Sequence, residues 1–137
     1  MTRRYLLDSG PAQDFIFQRR GVHIRVEQAR LAGARIGVCT PIVGEVMGGL
    51  EYSGQADAAL NLARRRLPTL LCWPYEKAAA EEYGRIFADL KRRGRPIQQI
   101  DMQLAAIALS MGNCVVVSGD SDLLAVPGLT VENWADS

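Results

Sequence analysis

Acidic residues stand at four places in this sequence where an ordinary solvated carboxylate is not the expected occupant. Asp8 ends the apolar run Tyr5-Leu6-Leu7, and Asp120 and Asp122 follow Val115-Val116-Val117 within the turn 118–122. Glu45 is the only ionisable side chain in the apolar, glycine-rich stretch 41–50. Asp101 opens the stretch 100–111, which is apolar almost all round. Each position also has a bland use: an aspartate after a strand can bond its own backbone, and an acid in a first helical turn complements the helix dipole. Together they suggest more. Carboxylates brought close in a dry site repel one another and hold protons unless a cation neutralises them. With His23 the single histidine and no cysteine pair at ligand spacing, the donors are all oxygen, which suits Mg²⁺ or Mn²⁺ and argues against zinc. Water activated at such a centre is the chemistry of phosphodiester hydrolysis.

The elements that must position these acids are legible from apolar runs and breakers. Residues 5–7, 35–39, 70–73 and 114–117 read as buried strands, and Thr130 and Val131 as a short edge. Helical spacing covers approximately 22–32, 55–67, 75–93 and 100–111. A further helix runs from Thr40, read as its N-cap, through Pro41 in its first turn to about Leu50. In the 75–93 helix, Ala79, Tyr83, Ile86, Phe87 and Leu90 form the expected core stripe. Gly48 and Gly49, three and four positions beyond Glu45, clear its helix face for close approach of a backbone or ligand. Strands alternating with helices imply an α/β/α sandwich on a central, mainly parallel sheet. Ligands bind such sheets at the carboxyl ends of the strands, where Asp8 and Asp120 are expected.

At 137 residues and 48% hydrophobic content the chain has material for one core, and it reads as a single domain over 1–137. A formal net charge of +1 excludes global basicity as a basis for nucleic-acid affinity. Cys39, Cys72 and Cys114 lie in apolar runs and read as reduced core residues, which suits a cytoplasmic protein. Three apolar residues before Asp8 are too few for a signal peptide, and no run approaches the ~20 residues of a membrane span.

These residues resemble those of the PIN-domain nucleases, and among them the VapC-type toxins of bacterial toxin–antitoxin pairs. Tyr5-Leu-Leu-Asp8-Ser9 is similar to the family strand ending in Leu-Asp-Thr. Thr40-Pro41 followed by Glu45 and Gly49-Leu50 is similar to its glutamate-bearing helix, and Asp101 with Ala105-Ala106 to its Asp-x-x-Ile-Ala-Ala helix. Ser118-Gly119-Asp120 resembles its Thr-x-Asp turn, and residues 126–134 a common family ending. Gly10 stands where the family often has asparagine, and Ser118 replaces the usual threonine.

The resemblance implies a metal-dependent endoribonuclease with Asp8, Asp101 and Asp120 holding Mg²⁺ or Mn²⁺, Glu45 as ligand or water-orienting base, and Ser9 and Ser118 in support. Asp122, two residues from Asp120, is the competing fourth acid. The implied partners are an RNA substrate, a small antitoxin and a second copy in a homodimer. An RNA-processing nuclease without a toxin role has the same site, and a PIN module that binds RNA or protein without cutting would not need the acids intact. A short reading frame upstream encoding a small DNA-binding protein would favour the toxin. An aspartyl phosphatase built on Asp8 wants a second aspartate where Gly10 stands, and one histidine embedded in Val22-His23-Ile24 makes Ser-His or Cys-His catalysis improbable. Arg92, Arg93 and Arg95 are the candidate phosphate contacts, whereas the run 64–66 reads as a solvated helix end.

Overall fold

The computed structural model describes residues 2–54 and 57–136. Five strands form one parallel sheet: β1 (Arg4–Leu7), β2 (Arg35–Cys39), β3 (Leu71–Trp73), β4 (Cys114–Val117) and β5 (Thr130–Glu132), in the order β3-β2-β1-β4-β5. β1 is central, pairing in parallel with β2 on one side and with β4 on the other. Leu6 and Leu7 are fully buried, which is why the strand reads as a continuous apolar run without alternation. The chain steps from β1 outward through β2 and β3, then returns across the sheet to place β4 against the free side of β1. That reversal opens a crevice at the carboxyl ends of β1 and β4.

Helices supply the crossovers. Among the described residues they are α1 (Ser9–Ile16), α2 (Val22–Leu31), α3 (Thr40–Tyr52), α4 (Asp57–Arg66), α5 (Lys77–Arg92) and α6 (Gln99–Met111). The Gln55 start expected for the fourth of these lies outside the described residues. α6 packs on α5, α3 and β4, and its run Leu104–Ala108 is buried without a break, as an all-round apolar helix requires. A 3₁₀ turn, Ser121–Ala125, follows β4 and was not foreseen from the sequence. After β5 the chain returns over the sheet: Trp134 is buried beside Tyr5, ring centroids 4.8 Å apart, and the Asp136 N–H donates to the Arg20 carbonyl at 2.8 Å.

Several expectations need correction. Thr40 is already helical, and Cys39 occupies the cap position of α3 with no side-chain cap bond. In α5, Ala79, Ile86 and Leu90 are buried, but Tyr83 is only partly covered and Phe87 is exposed. Phe87 sits one residue around the helix from Ile86, and its ring meets its own helix neighbours, the Tyr83 ring and the Lys91 ammonium. Cys39 is buried, but Cys72 is exposed because β3 is an edge strand, and Cys114 is half-buried; all three thiols are free.

Gly37 shows how tightly β2 and β3 are fitted. A Cβ there would lie 2.6 Å from Cζ3 of Trp73 and 2.8 Å from the Leu71 carbonyl oxygen, and the carbonyl belongs to the paired strand and cannot swing away. Gly37→Ala should therefore destabilise the fold by about 2 kcal/mol through overpacking, read as a lower urea midpoint with an unchanged slope.

Candidate active site

Asp8 is delivered to the crevice by β1 and held there from three directions. Its backbone N–H donates to the Val117 carbonyl of β4 at 2.9 Å. Its carboxylate caps α1, with Oδ1 accepting the Ser9 N–H at 2.8 Å and Oδ2 the Ser118 hydroxyl at 2.7 Å. Ser118 Oγ in turn accepts the Asp120 N–H at 2.9 Å, so one buried hydroxyl fixes the acids after β1 and β4 to each other. Asp8 is only 7% exposed, and burial pushes its carboxyl above the ordinary aspartate value. The bonds from Ser118 and Ser9 oppose that shift, and the charges of Glu45 and Asp120 add to it.

Asp101 sits in the first turn of α6 yet is buried, so dipole compensation at a solvated helix end does not describe it. Among the described residues nothing donates a hydrogen bond or an ion pair to its carboxylate. Burial, followed by the charges of Asp8, Asp120, Glu45 and Asp122, raises it to about 6. One carboxylate oxygen from each of Asp101, Asp120 and Asp122 lies within 4.8 Å of the others. An all-oxygen group of this kind, with a buried member lacking any donor of its own, fits a hard divalent cation.

Asp120 and Asp122 differ in their surroundings. Asp120 lines the cleft and caps the 3₁₀ turn, Oδ1 accepting the Asp122 N–H at 2.9 Å. Asp122 does not line the cleft, and its Oδ1 accepts from Arg95 at 2.8 Å. Glu45, one turn into α3, also lines the cleft but is exposed, contrary to the expectation that its apolar helix would bury it. The glycines beside it do not admit a neighbouring backbone: a Cβ at Gly48 or Gly49 would have nothing within 4 Å.

Asp8, Glu45, Asp101 and Asp120 thus line one cleft of about 440 Å³. Sequence reasoning missed two of its charged walls, Asp14 and Arg20. Asp14 is buried in α1 beside Arg19, whose Nε lies 3.7 Å from its Oδ1, and its isolation as the only ionisable residue of α1 was the available signal. Arg20 had none, because only the returning tail brings it to the cleft. The expected phosphate contacts fare differently: Arg93 is spent on Asp89 and the Ala125 carbonyl, Arg95 on Asp122, and neither they nor Arg92 line the cleft.

The PIN domain family model matches residues 5–129. This chain belongs to the PIN domain family. The tRNA(fMet)-specific endonuclease VapC of Salmonella typhimurium is 28% identical over 131 residues, covering 96% of this chain and 98% of the relative. The solved structure of DNA-bound VapBC from Salmonella typhimurium aligns with a TM-score of 0.84 at 28% identity, over 98% of this chain and 100% of that one. VapBC2 from Rickettsia felis, bound to a DNA fragment from its promoter, aligns with a TM-score of 0.87 over 96% of this chain and 98% of that one; at 19% identity it speaks to the PIN fold alone. No helix of this PIN domain, among the described residues, is long and apolar enough to cross a membrane.

The raised carboxyls give the cation-free protein a defined pH response. Asp101 titrates near 6 when folded and near 3.8 when unfolded, so its contribution to stability is present below about pH 4 and lost as pH rises through 6; Asp8 shifts in the same direction. A divalent cation binds the deprotonated acids. Added Mg²⁺ or Mn²⁺ should therefore raise the melting temperature clearly at about pH 7.5 and little at about pH 5. Differential scanning fluorimetry with and without chelator reads this, and equal shifts at both pH values would sink the assignment.

Proposed function

We propose that this chain is a Mg²⁺- or Mn²⁺-dependent endoribonuclease, the toxin of a VapBC-type toxin–antitoxin pair, acting as one PIN domain over residues 1–137 and as a homodimer. The observation that carries the reading is the meeting of Asp8, Glu45, Asp101 and Asp120, from four separate elements, in a single cleft at the β1/β4 switch point. Family membership and the VapC relatives support an RNA substrate and a small antitoxin as partner. The Salmonella relative's specificity makes an initiator tRNA a natural first substrate, alongside unstructured RNA.

Asp8, Asp101 and Asp120 are the proposed holders of the cation, with Asp122 as a further candidate. When bound, the cation supplies Lewis acidity to the scissile phosphate and to water, and offsets the charge that develops in the transition state. Asp8 meets this role pre-oriented, since both its oxygens already accept fixed hydrogen bonds. Glu45, open to solvent at the cleft, can orient the attacking water and take up its proton. Ser118 positions Asp8 and the backbone of Asp120 together.

Cleavage of fluorescent single-stranded RNA and of initiator tRNA should require Mg²⁺ or Mn²⁺, disappear with chelator, and fall by at least about 100-fold in Asp8→Asn, a loss typical of removing a principal electrostatic group from a hydrolase site. Undiminished cleavage by a folded Asp8→Asn protein would remove Asp8 from the site. Ser118→Ala should lower activity by about tenfold and move the acid limb of the pH–rate profile upward, because the lost hydrogen bond is one that holds the Asp8 carboxyl down. Ser118→Thr, which keeps the hydroxyl, should leave that limb in place.

A further inference from the structure

A cleft walled by carboxylates must admit a polyanion, and the cations that the sequence offers for that purpose are elsewhere. Among the described residues lining the cleft, Asp8, Asp14, Glu45, Asp101 and Asp120 are acidic, and Arg20 is the one basic side chain. Its neighbour Arg19 faces Asp14 and lies over the Phe17 ring, so it is already matched. Among the described residues Arg20 makes no ion pair. Its Nε donates to the Asp136 carbonyl at 3.1 Å, which leaves the two terminal nitrogens of the guanidinium uncommitted.

The backbone around Arg20 is held in an unfavourable shape. Gln18 has φ of 53° and Arg20 of 54°, both in the left-handed region that non-glycine residues seldom occupy, and Gly21 follows at 75°. Such conformations persist where the surroundings over-determine them, and they concentrate at functional sites. Here the surroundings are the chain's own C-terminal segment. The Asp136 N–H donates to the Arg20 carbonyl at 2.8 Å while the Arg20 Nε–H donates to the Asp136 carbonyl, a two-way clip. Trp134 anchors it, being 3% exposed, packed on Tyr5 and overlain by the Arg25 guanidinium. A strained loop is thus pinned by a buried tryptophan, and the pinned residue is, among the described residues, the one cation on an acidic cleft.

We propose that Arg20 is the phosphate-binding residue of this cleft: clipped in place by the backbone of Asp136, it grips a backbone phosphate of the RNA strand beside the scissile bond and counters its repulsion by the acids. The inference rests on the ribonuclease reading and adds to it the group that receives the substrate. An arginine suits the task because its terminal nitrogens can take a phosphate in a bidentate fashion while Nε stays bonded to the clip.

The test is the dependence of cleavage on substrate and salt concentration for wild type, Arg20→Gln and Arg20→Lys, using one fluorescent RNA that the wild type cuts. Arg20→Gln should raise KM about tenfold, the worth of one charge-assisted hydrogen bond, with kcat within about twofold. Its salt dependence should be shallower by about 0.7 in the log–log slope, the share of one single-strand phosphate contact. Arg20→Lys, which keeps the charge, should retain most of the slope and recover part of the KM. A wild-type KM and slope in Arg20→Gln overturns the proposal and leaves the ribonuclease reading standing. A raised KM with an unchanged slope also overturns it, because a purely structural clip moves stability without moving the salt response. A wild type that neither cuts nor binds any RNA with Mg²⁺ or Mn²⁺ present overturns the ribonuclease reading, and this proposal with it.

Discussion

Mutual repulsion among half-buried carboxylates is the constraint around which this molecule is arranged. Asp8 and Asp101 are almost entirely withdrawn from water, and Asp120, Asp122 and Glu45 add negative charge around them. Left to themselves such groups would separate or take up protons. Asp8 and Asp101 cannot separate, because the elements that carry them are held in the core, so their carboxyls are raised instead. β1 is bonded on both sides within the sheet, and α6 is packed on α5, α3 and β4. The stability of the sheet and the central helix therefore holds together a site that opposes folding whenever its acids are ionised without a counter-charge, a tension that a bound divalent cation would relieve.

Strand order decides where that tension is placed. Because the chain runs outward from β1 to β3 and returns to set β4 beside β1, the loops after these two strands diverge and leave a crevice between them. Ser118 closes the arrangement with a single hydroxyl, donating to Asp8 and accepting from the Asp120 backbone. The contact links residues 110 positions apart in the chain. A threonine keeps the same hydroxyl, so the departure from the usual family residue preserves the interaction that matters.

The distribution of positive charge follows a similar logic. The chain carries a net +1, and several of its arginines are matched to nearby acids: Arg85 to Glu82, Arg93 to Asp89, Arg95 to Asp122. Arg95 has a particular consequence, since its guanidinium pairs with Asp122 at 2.8 Å while Asp120 lines the cleft. The two acids that the sequence left in competition are thereby distinguished by their environments.

The sequence by itself determined the parallel α/β architecture, the strands bearing Asp8 and Asp120, the central helix bearing Asp101, and the all-oxygen character of the site. These were legible because apolar runs and their breakers are local signals, and because a parallel sheet puts the ends of its strands to a common edge whatever lies between. What only the tertiary structure decided depends on elements distant in the chain. Glu45 proved exposed, and among the described residues no atom comes within 4 Å of a Cβ at Gly48 or Gly49; neither the helix period nor its apolar composition reports on a missing neighbour. Phe87 proved exposed, although its spacing is that of a core residue. Arg95 was claimed by Asp122 and Arg93 by the Ala125 carbonyl, partners distant in the chain, although the Asp89 that Arg93 also pairs with lies in the helix just before it. Asp14 and Arg20 became walls of the cleft through the packing of α1 and the return of the tail to residue 20, a contact spanning nearly the whole chain. Local periodicity reveals which face of an element is apolar; what meets that face, and which charges are left over afterwards, is settled only when the elements pack.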